Sequence, residues 1–266
     1  MKNSFLIWYL YIIIVTIFYL TISVYPEMYT NNKLNTDFDI YVINLPSSKE
    51  RLVHFIDQYN NTDLVSTNIN VFSAVNGKTL ELEKYVTPSA YEQIILTEKT
   101  NKRKYHYELT RGAVGCYLSH LEIYKKIAES DKKYGLIFED DVILHHNFGK
   151  LMLDGIHNIN NIDPDWDIFL LGIMCIDCKT NTNYIDVKRF WGLHGYLVKK
   201  ESAIKLVSLL DKLISKQIDA EISLMIKYQK LKVYSIYPSI VIQSNQFGTM
   251  QTTVDTSSEA FKEEFV

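Results

Sequence analysis

The chain has 266 residues, of which 47% are hydrophobic, and this is enough apolar material for one full-sized domain or two small ones. Such a composition disfavours an intrinsically disordered chain. A formal net charge of −3 and a sequence pI near 6.2 offer no basic surface that would neutralise phosphates, so we expect no nucleic-acid partner.

The first clear signal is an apolar run at residues 5–24, which only threonines and a serine interrupt. A helix needs about 20 such residues to cross a bilayer core. A cleaved signal peptide is the alternative, but its apolar region would be shorter, roughly 7–15 residues, and would end in small residues. We therefore predict an uncleaved signal anchor within residues 1–27, and with it attachment to a membrane.

The residues around this run indicate its orientation. Lys2 precedes it and Glu27 follows it, so the positive-inside tendency favours a single-pass type II membrane protein. Residues 28–38 would then be a short stem, and residues 39–266 a folded domain in an ER- or Golgi-like lumen or outside the cell. Asn60 begins an Asn-x-Thr signal, so this topology predicts a glycoprotein.

The folded domain begins with an apolar run at residues 39–46 that a proline ends. A strand buried on both faces, as in a parallel sheet between helices, has this pattern. Ser47 or Ser48 can cap the helix that follows. The junction would bring free backbone N–H groups and Arg51 near the carboxyl end of the strand, which suits a phosphate, although Arg51 could equally be an ordinary exposed residue.

Residues 70–75 predict a second strand, which the turn at Asn76 and Gly77 closes. Residues 78–107 follow no sustained period, so we predict helical fragments and a mobile loop there. This segment carries a basic cluster, made of Lys99, Lys102, Arg103 and Lys104. The cluster fits a solvated face, or beside an active site it could attract a nucleotide diphosphate.

Apolar residues then recur every three or four positions over residues 114–128, which predicts an amphipathic helix of about four turns. Small residues at the start of this helix would let another backbone approach closely. They are Gly112, Ala113 and Gly115. Ser119 and His120 lie inside the helix beside its apolar stripe, where a histidine most often serves as a structural hydrogen-bonding group.

A short apolar strand at residues 136–138 ends in three consecutive acids, Glu139, Asp140 and Asp141. Adjacent carboxylates repel one another, and a divalent cation or strong donors among them relieve the repulsion. Oxygen ligands select Mg²⁺ or Mn²⁺ over zinc. In an extended chain Glu139 and Asp141 point to the same side and could share one cation, whereas a solvated acidic turn is the alternative.

The later part of the chain offers further site candidates. Residues 166–172 and 191–198 predict two buried strands, and His194 in the second is either a metal ligand or a core histidine. Asp219 opens a short helix with Glu221 close behind. Both carboxylates are therefore either first-turn helix residues or candidates for a general base.

The three cysteines, Cys116, Cys175 and Cys178, form an odd set without the spacing of a disulfide-rich fold. One bridge plus a free thiol would fit. The Cys175-x-x-Cys178 pair could also be half of a zinc site, but no second pair follows it at the spacing that zinc sites use. We therefore expect core or loop cysteines rather than metal ligands.

Five segments, in this order, resemble glycosyltransferase family 25, which includes lipooligosaccharide galactosyltransferases and procollagen galactosyltransferases. The resemblance covers roughly residues 39–245 and is most specific where the histidine-containing helix motif precedes the acidic triplet. The segments are Val42-Ile43-Asn44-Leu45 with Arg51 shortly after, Ala74-Val75-Asn76-Gly77, Val114-Gly115-Cys116-Tyr117-Leu118-Ser119-His120, Leu136-Ile137-Phe138-Glu139-Asp140-Asp141-Val142 and Gly192-Leu193-His194-Gly195-Tyr196-Leu197-Val198.

The resemblance implies a GT-A-type α/β fold, a Rossmann-like glycosyltransferase domain with a mostly parallel sheet. It implies a metal-dependent, inverting enzyme that moves galactose or glucose from a UDP-sugar donor to a glycan or hydroxylysine-type protein acceptor. The implied metal is Mn²⁺ or Mg²⁺, with Glu139, Asp141 and His194 as its ligands. The residues that would bind substrate are Asn44, Arg51, Gly77, Arg111, Ser119, His120 and Asp140.

Direct displacement with inversion needs a general base that takes the proton of the acceptor hydroxyl. Because a metal-bound carboxylate has its lone pairs engaged, we expect a separate acid, with Asp219 as the first choice and Glu221 as the second. The family commonly has Asp-Gly where this chain has Asn76-Gly77, and Pro-Val-Asp where it has Gln217-Ile218-Asp219, so the turn chemistry differs at both places. Acceptor choice is expected to depend on loops such as residues 78–107.

Two other classes of protein would share parts of this pattern. A nucleotide-sugar hydrolase or pyrophosphorylase would have similar metal and phosphate features, but it would not need a membrane anchor that faces a lumen. A non-catalytic binding subunit of the same fold would be expected to lose its carboxylates first. Here the acidic triplet and His120 are both intact.

Overall fold

The computed structural model describes residues 37–64 and 68–244. The apolar run at residues 5–24, where the membrane anchor is predicted, lies outside these ranges. Within them, no helix combines the length and the apolar character that crossing a membrane requires.

The described residues form an α/β domain with helices on both faces of a large sheet. The strands, in chain order, are β1 (Phe38–Asn44), β2 (Asn70–Ser73), β3 (Tyr134–Glu139), β4 (Val142–Leu144), β5 (Ile168–Leu170), β6 (Met174–Thr180), β7 (Tyr184–Trp191), β8 (Gly195–Lys199), β9 (Val233–Ile236) and β10 (Val241–Gln243). The helices are α1 (Lys49–Asn60), α2 (Pro88–Thr100), α3 (Arg111–Glu129), α4 (Phe148–Ile162), α5 (Lys200–Leu210) and α6 (Ile218–Lys227), with short 3₁₀ turns at Gly77–Thr79 and Leu82–Lys84.

The main sheet has the strand order β2-β1-β3-β8-β5-β9-β7-β6, and β4 pairs separately with β10. Pairing is parallel between β1 and its neighbours β2 and β3, and between β5 and β9. The other four pairings of the main sheet are antiparallel, and β8 runs against both β3 and β5. The prediction of a mostly parallel sheet is therefore wrong, and the sheet is mixed. An apolar run fits any strand that helices cover on both faces. It therefore does not indicate whether the strand is parallel or antiparallel to its neighbours.

Strand β3 is buried on both faces, as its sequence predicts. Ile137 packs into the apolar cluster beneath α3, α5 and α6, whereas Leu136 and Phe138 pack into the cluster beneath α1 and α4. All three side chains are fully buried, and burial of each large apolar side chain stabilises the fold by about 1.5–3 kcal/mol. A shift by one residue would exchange the two faces. The register of β3 is therefore well determined, and so is the place where its terminal acids emerge.

The predicted strand at residues 191–198 is interrupted. Strand β7 ends at Trp191 and β8 begins at Gly195, so His194 lies in the connecting loop rather than in a strand. Gly192 has a φ of +85°, a conformation that strand residues do not adopt and that glycine adopts readily. The loop between β7 and β8 therefore begins where the apolar pattern had predicted a continuous strand.

Helix α2 occupies much of the segment predicted to hold helical fragments and a mobile loop. The Thr87 side chain accepts a hydrogen bond from the Ala90 N–H group, and Pro88 fills the first helical position. The helix ends at Thr100, and the next residue, Asn101, is in the left-handed conformation typical of a helix end. These start and stop signals are present in the sequence, although the apolar residues between them follow no clear period.

Candidate active site

A cleft of about 670 Å³ opens at the edge of the sheet where β1 and β3 end. These two strands are parallel neighbours, with Ile43 opposite Glu139, so the residues that follow them emerge side by side. The position agrees with the rule that ligands of α/β sheets bind beyond the carboxyl ends of strands. Of the predicted site residues, those that line the cleft are Arg51, Gly77, Ser119, Glu139, Asp140, Asp141 and Asp219.

Arg51 and Asn44 bind the acidic triplet. An Nη atom of Arg51 forms ion pairs with a carboxylate oxygen of Asp140 and, at 2.9 Å, with Oδ2 of Asp141. Asn44 donates a hydrogen bond from Nδ2 to Asp140 Oδ2 at 2.6 Å. Two buried carboxylates side by side need a cation and donors close to them, and these two residues supply both. Arg51 also lines the cleft, and substrate binding by either residue stays a prediction.

The environment of the aspartates favours further positive charge. Burial raises the pKa of Asp140 although Arg51 opposes the shift, and burial together with the Glu139 carboxylate raises the pKa of Asp141 to about 6. Oδ1 of Asp141 is buried and has no hydrogen-bond partner among the described residues. A buried carboxylate oxygen without a partner costs free energy. The oxygen therefore fits a ligand of a hard cation such as Mn²⁺ or Mg²⁺.

Glu139 is held by a chain of buried side chains. Nε2 of His120 lies 3.4 Å from Oε1 of Glu139, and Nδ1 of the same ring hydrogen-bonds the Tyr196 hydroxyl at 2.6 Å. The Tyr196 hydroxyl in turn lies 2.8 Å from the Tyr124 hydroxyl. Burial alone would raise the pKa of Glu139, but the hydrogen bond and the charge of His120, with smaller effects of His194 and Arg51, hold that pKa below its ordinary value. Glu139 is therefore kept ionised.

His120 itself is fully buried and lies outside the described lining of the cleft. The prediction that it binds substrate does not match this position, because its ring lies behind Glu139 and both ring nitrogens face protein side chains. Its helix places it there: α3 packs its apolar stripe on the sheet, and His120 shares the buried face with its neighbours in that stripe.

Cys116 offers a second possible set of ligands with His120 and Glu139, because one ligand atom of each lies within 4.8 Å of the others. A thiolate and an imidazole would suit a softer metal than Mn²⁺. Burial, and then the Glu139 carboxylate, raise the pKa of the Cys116 thiol well above its ordinary value. A protonated thiol is a poor ligand for a hard cation, whereas Glu139 and Asp141 offer carboxylate oxygens.

His194 lies behind the acidic triplet, outside the described lining of the cleft. Its carbonyl oxygen accepts a hydrogen bond from the Glu139 N–H group at 3.0 Å, and its ring hydrogen-bonds the backbone of Val241. Burial lowers the pKa of His194 despite the nearby Glu139 charge, so the ring is neutral. His194, the predicted metal ligand, thus belongs to the loop between β7 and β8, and its carbonyl supports Glu139.

The two candidate bases on α6 have different surroundings. Asp219 lines the cleft, and its carboxylate accepts hydrogen bonds from the N–H groups of Gly192 at 3.0 Å and Ala220 at 2.7 Å. Burial raises the pKa of Asp219 to about 6 despite these hydrogen bonds. A carboxylate with such a pKa is still ionised at neutral pH and accepts a proton more readily than an ordinary aspartate does.

Glu221 is buried outside the described lining of the cleft. Its carboxylate pairs with Lys212 at 3.1 Å and accepts a hydrogen bond from Ser215 at 2.9 Å. Residues two apart on a helix point to different sides, so α6 can present only one of its two first-turn acids to the cleft. Glu221, the second choice for the base, is therefore held by structural contacts away from the cleft.

Arg111 and Ser119 support the loop that follows β2. The guanidinium of Arg111 turns away from the cleft, to Glu98 at 2.6 Å and the Leu80 carbonyl at 3.3 Å. Ser119 Oγ accepts a hydrogen bond from the Val75 N–H group at 2.9 Å and donates one to the Gly115 carbonyl at 2.7 Å. Ser119 thus fixes the loop that lines the cleft, whereas Arg111 lies outside the described lining.

Several residues of the site were missed from sequence. Gln243 donates a hydrogen bond to Asp141 at 3.3 Å, and the Ser244 N–H group donates to the Asp141 carbonyl at 2.6 Å. His106 and Trp191 line the cleft with their ring centroids 4.7 Å apart. No local signal in the sequence indicates the pairing of β10 with β4, which brings Gln243 to the triplet.

The cysteines form one bridge and one free thiol. Cys175 and Cys178 are joined by a disulfide on β6, and Cys116 is free. The bridge spans the irregularities in the pairing of β6 with β7. The pair is thus not half of a zinc site.

Comparisons with known proteins agree on one family. The profile of "Glycosyltransferase family 25 (LPS biosynthesis protein)" matches residues 38–222. Human procollagen galactosyltransferase 2 is 23% identical over 256 residues, which cover 89% of this chain but 39% of that protein. This chain therefore spans well under half of that relative.

The lipooligosaccharide biosynthesis protein lic2B of Haemophilus influenzae is 23% identical over 237 residues, which cover 85% of this chain and 84% of that protein. Among solved structures, a Drosophila β1,4-galactosyltransferase 7 matches with a TM-score of 0.41 and 9% identity, over 86% of this chain and 80% of that one.

Proposed function

Because this chain belongs to glycosyltransferase family 25, we propose that it transfers galactose or glucose from a UDP-sugar to a hydroxyl group of a glycan or of a hydroxylysine-type protein acceptor, with inversion. The observation that carries the proposal is that one cleft contains two acids whose surroundings suit different roles. Asp141 has a buried carboxylate oxygen without a partner among the described residues, and Asp219 has a pKa raised to about 6.

Glu139 and Asp141 are the residues that would hold the divalent cation. When bound, Mn²⁺ or Mg²⁺ would neutralise negative charge that builds up on the departing diphosphate. Arg51 spans Asp140 and Asp141, and its fixed positive charge lowers the repulsion between them. His120 fixes the orientation of Glu139 from behind.

Asp219 would act as the general base. The acceptor oxygen forms its bond to the anomeric carbon, the bond from that carbon to the phosphate oxygen breaks, and the hydroxyl proton passes to the Asp219 carboxylate. The hydrogen bonds from Gly192 and Ala220 hold the carboxylate in one orientation, which general-base catalysis requires.

The proposal extends to the cellular location. The apolar run at residues 5–24 supports a type II membrane anchor, and the Cys175–Cys178 disulfide supports an oxidising compartment such as a secretory lumen. Extraction of membranes with carbonate tests the anchor, because an uncleaved span stays in the pellet. Soluble protein with a new N-terminus near Tyr25 would instead identify a cleaved signal peptide.

The activity is tested with the full-length protein in detergent. UDP release from UDP-galactose and UDP-glucose is measured with Mn²⁺, with Mg²⁺ and with a chelator, over an array of glycan and peptide acceptors. We expect UDP release that depends on both metal and acceptor, with a product of increased mass. Release without any transfer would identify a hydrolase, and UDP-sugar binding without release would identify a binding subunit.

A further inference from the structure

Two tyrosines and two lysines form a compact surface group beside the cleft. The rings of Tyr105 and Tyr107 stack with centroids 5.2 Å apart and planes 7° apart. Nζ of Lys104 lies 5.0 Å from the centroid of the Tyr105 ring, and Nζ of Lys216 lies 5.6 Å from that of Tyr107. Each ring thus holds an ammonium group by a cation–π contact. We call these four residues the Lys–Tyr stack.

The stack is joined to the cleft by hydrogen bonds. His106, which lies between the tyrosines in sequence, lines the cleft, and its carbonyl accepts a hydrogen bond from Gln217 Nε2 at 2.6 Å. The Gln217 N–H group donates to the Tyr107 carbonyl at 3.2 Å. Gln217 is the residue before α6, which carries Asp219. The stack and the proposed base are therefore fixed to the same junction.

The segment that carries the stack is also anchored from below. Arg103 is buried, and its guanidinium donates to the His106 carbonyl at 3.1 Å. The Lys104 N–H group donates to the Glu108 carboxylate at 2.7 Å. Arg103 is thus a structural member of the basic cluster seen in sequence, while its neighbour Lys104 is exposed. Arg103 thus anchors the loop, while the three lysines of the cluster are exposed to solvent.

The charge around the stack is predominantly positive. Lys99 and Lys102 are exposed on the same segment as Lys104. The acids of this part of the chain are Glu98, which pairs with the Arg111 guanidinium, and Glu108, whose negative charge lies beside Lys104. An anionic group that arrived at the stack would therefore meet cations, and the phenol edges would offer hydroxyl groups and apolar carbon to a sugar ring.

We propose that the Lys–Tyr stack is an acceptor subsite, and that it selects a saccharide that bears a carboxylate or phosphate group. The inference rests on the proposed glycosyl transfer. The stack adjoins His106 and Gln217, which line the cleft together with Asp219, whereas the triplet that begins at Glu139 would serve the donor diphosphate. An acidic saccharide bound at the stack would extend from the base to the outer rim.

The test measures binding without requiring transfer. Full-length protein in detergent, saturated with UDP and Mn²⁺, is titrated with oligogalacturonate and with its methyl-esterified neutral counterpart, and separately with mannose 6-phosphate and with mannose. We expect the native protein to prefer the anionic member of at least one pair by about tenfold, the scale expected for a few exposed charge contacts. The preference should shrink at high salt.

The matched variants assign the preference to the stack. Lys104→Gln with Lys216→Gln should remove it, whereas Lys104→Arg with Lys216→Arg should keep it, and Lys230→Gln, an exposed lysine beyond the other end of α6, should leave it unchanged. Tyr105→Ala should weaken binding of both members of a pair. Melting temperatures show that each variant is folded.

Three outcomes would overturn the inference. They are no anionic preference in the native protein, loss of anionic and neutral binding in equal measure in the Gln pair, and a weakened affinity for UDP in the Gln pair, which would make the stack part of the donor site. Failure of the proposed function would look different, because then no UDP-sugar would give a transfer product with any acceptor, whatever the result of the saccharide titrations.

Discussion

Gly77 and Gly115 lie with their backbones in direct contact. A Cβ atom on Gly115 would lie 2.7 Å from the Gly77 backbone nitrogen, and a Cβ atom on Gly77 would lie 3.2 Å from the Gly115 backbone nitrogen. The loop after β2 therefore rests on the first turn of α3, where the small residues of the sequence predicted a close approach. The contact sets the wall of the cleft that Gly77 lines.

The first prediction is that Gly115→Ala displaces this loop. The added methyl group would meet backbone atoms, which cannot move aside as a flexible side chain can, so we expect a loss of stability of about 1–3 kcal/mol. UDP affinity should fall with it, because the displaced loop lines the cleft. Thermal unfolding and UDP titration measure both effects.

Glu122→Ala is the matched control, since Glu122 is on the same helix and faces solvent with its partner Lys125. We expect a change within about 0.5 kcal/mol for it. If Gly115→Ala were as stable as this control and bound UDP normally, the contact between the two glycines would not determine the shape of the cleft.

The second prediction concerns the acidic triplet. Asp141→Asn keeps the shape of the side chain but removes its charge, so we expect transfer to be abolished and UDP binding to weaken mainly in the presence of Mn²⁺. Titration of UDP with Mn²⁺ and with a chelator measures the difference. Full activity in this variant, or activity that chelators do not affect, would remove Asp141 from the metal site.

The sequence predicted the acidic edge of the site well. The run that becomes β3 is apolar on both faces, so the strand and the emergence of Glu139 at its end follow from local pattern alone. The approach of the glycine-containing loop to α3 follows from residue size. These features are local, since each is determined by residues close together in the chain.

What the sequence could not predict depends on distant pairings. Strand β8 lies between β3 and β5 and is antiparallel to both. Its sequence is the same kind of apolar run that a parallel strand would have. It brings His194 behind Glu139, while Gly192 and Leu193 of the same loop line the cleft. Likewise, Gln243 reaches Asp141 only because β10 pairs with β4, and no nearby residue signals that contact.

The third prediction concerns the side chains behind Glu139. Tyr196→Phe removes a buried hydroxyl that bridges His120 and Tyr124, so it leaves polar atoms of both without that partner. We expect a loss of stability of about 1–3 kcal/mol. Mn²⁺ affinity in the presence of UDP should also fall, because His120 would no longer be fixed against Glu139.

Tyr124→Phe is the matched comparison, because it removes only the hydroxyl group farthest from Glu139. The hydrogen bond between Tyr196 and His120 stays in place. We expect it to affect Mn²⁺ affinity less than Tyr196→Phe does. Equal Mn²⁺ affinities in the native protein and both variants, measured by electron paramagnetic resonance, would limit these tyrosines to a role in stability.

The last prediction separates catalysis from stability at Asp219. Asp219→Asn should lower turnover by about 10² or more, the usual scale for a general base, while UDP and Mn²⁺ affinities stay nearly unchanged. The same substitution should stabilise the protein at neutral pH. A buried carboxylate whose pKa is raised from 3.8 to about 6 destabilises the ionised fold by roughly 3 kcal/mol at about 1.4 kcal/mol per unit.

The sign of the pH dependence follows from this shift. Between pH 3.8 and about 6 the folded protein binds more protons at Asp219 than the unfolded chain does, so the contribution of Asp219 to stability is lost as the pH rises through this range. The asparagine gives up one of the two hydrogen bonds that the carboxylate accepts, at a cost of about 1 kcal/mol. A net gain in stability is therefore expected above pH 6 and a small loss below pH 4.

Glu221→Gln is the control for this experiment. It weakens the pairing with Lys212 and should lower the melting temperature without changing turnover per folded molecule. Melting temperatures from pH 3.5 to 8 and single-turnover rates decide between the two roles of Asp219. If Asp219→Asn lowered the melting temperature at neutral pH and kept its turnover, Asp219 would serve only to fix the start of α6, and the general base would have to be another residue.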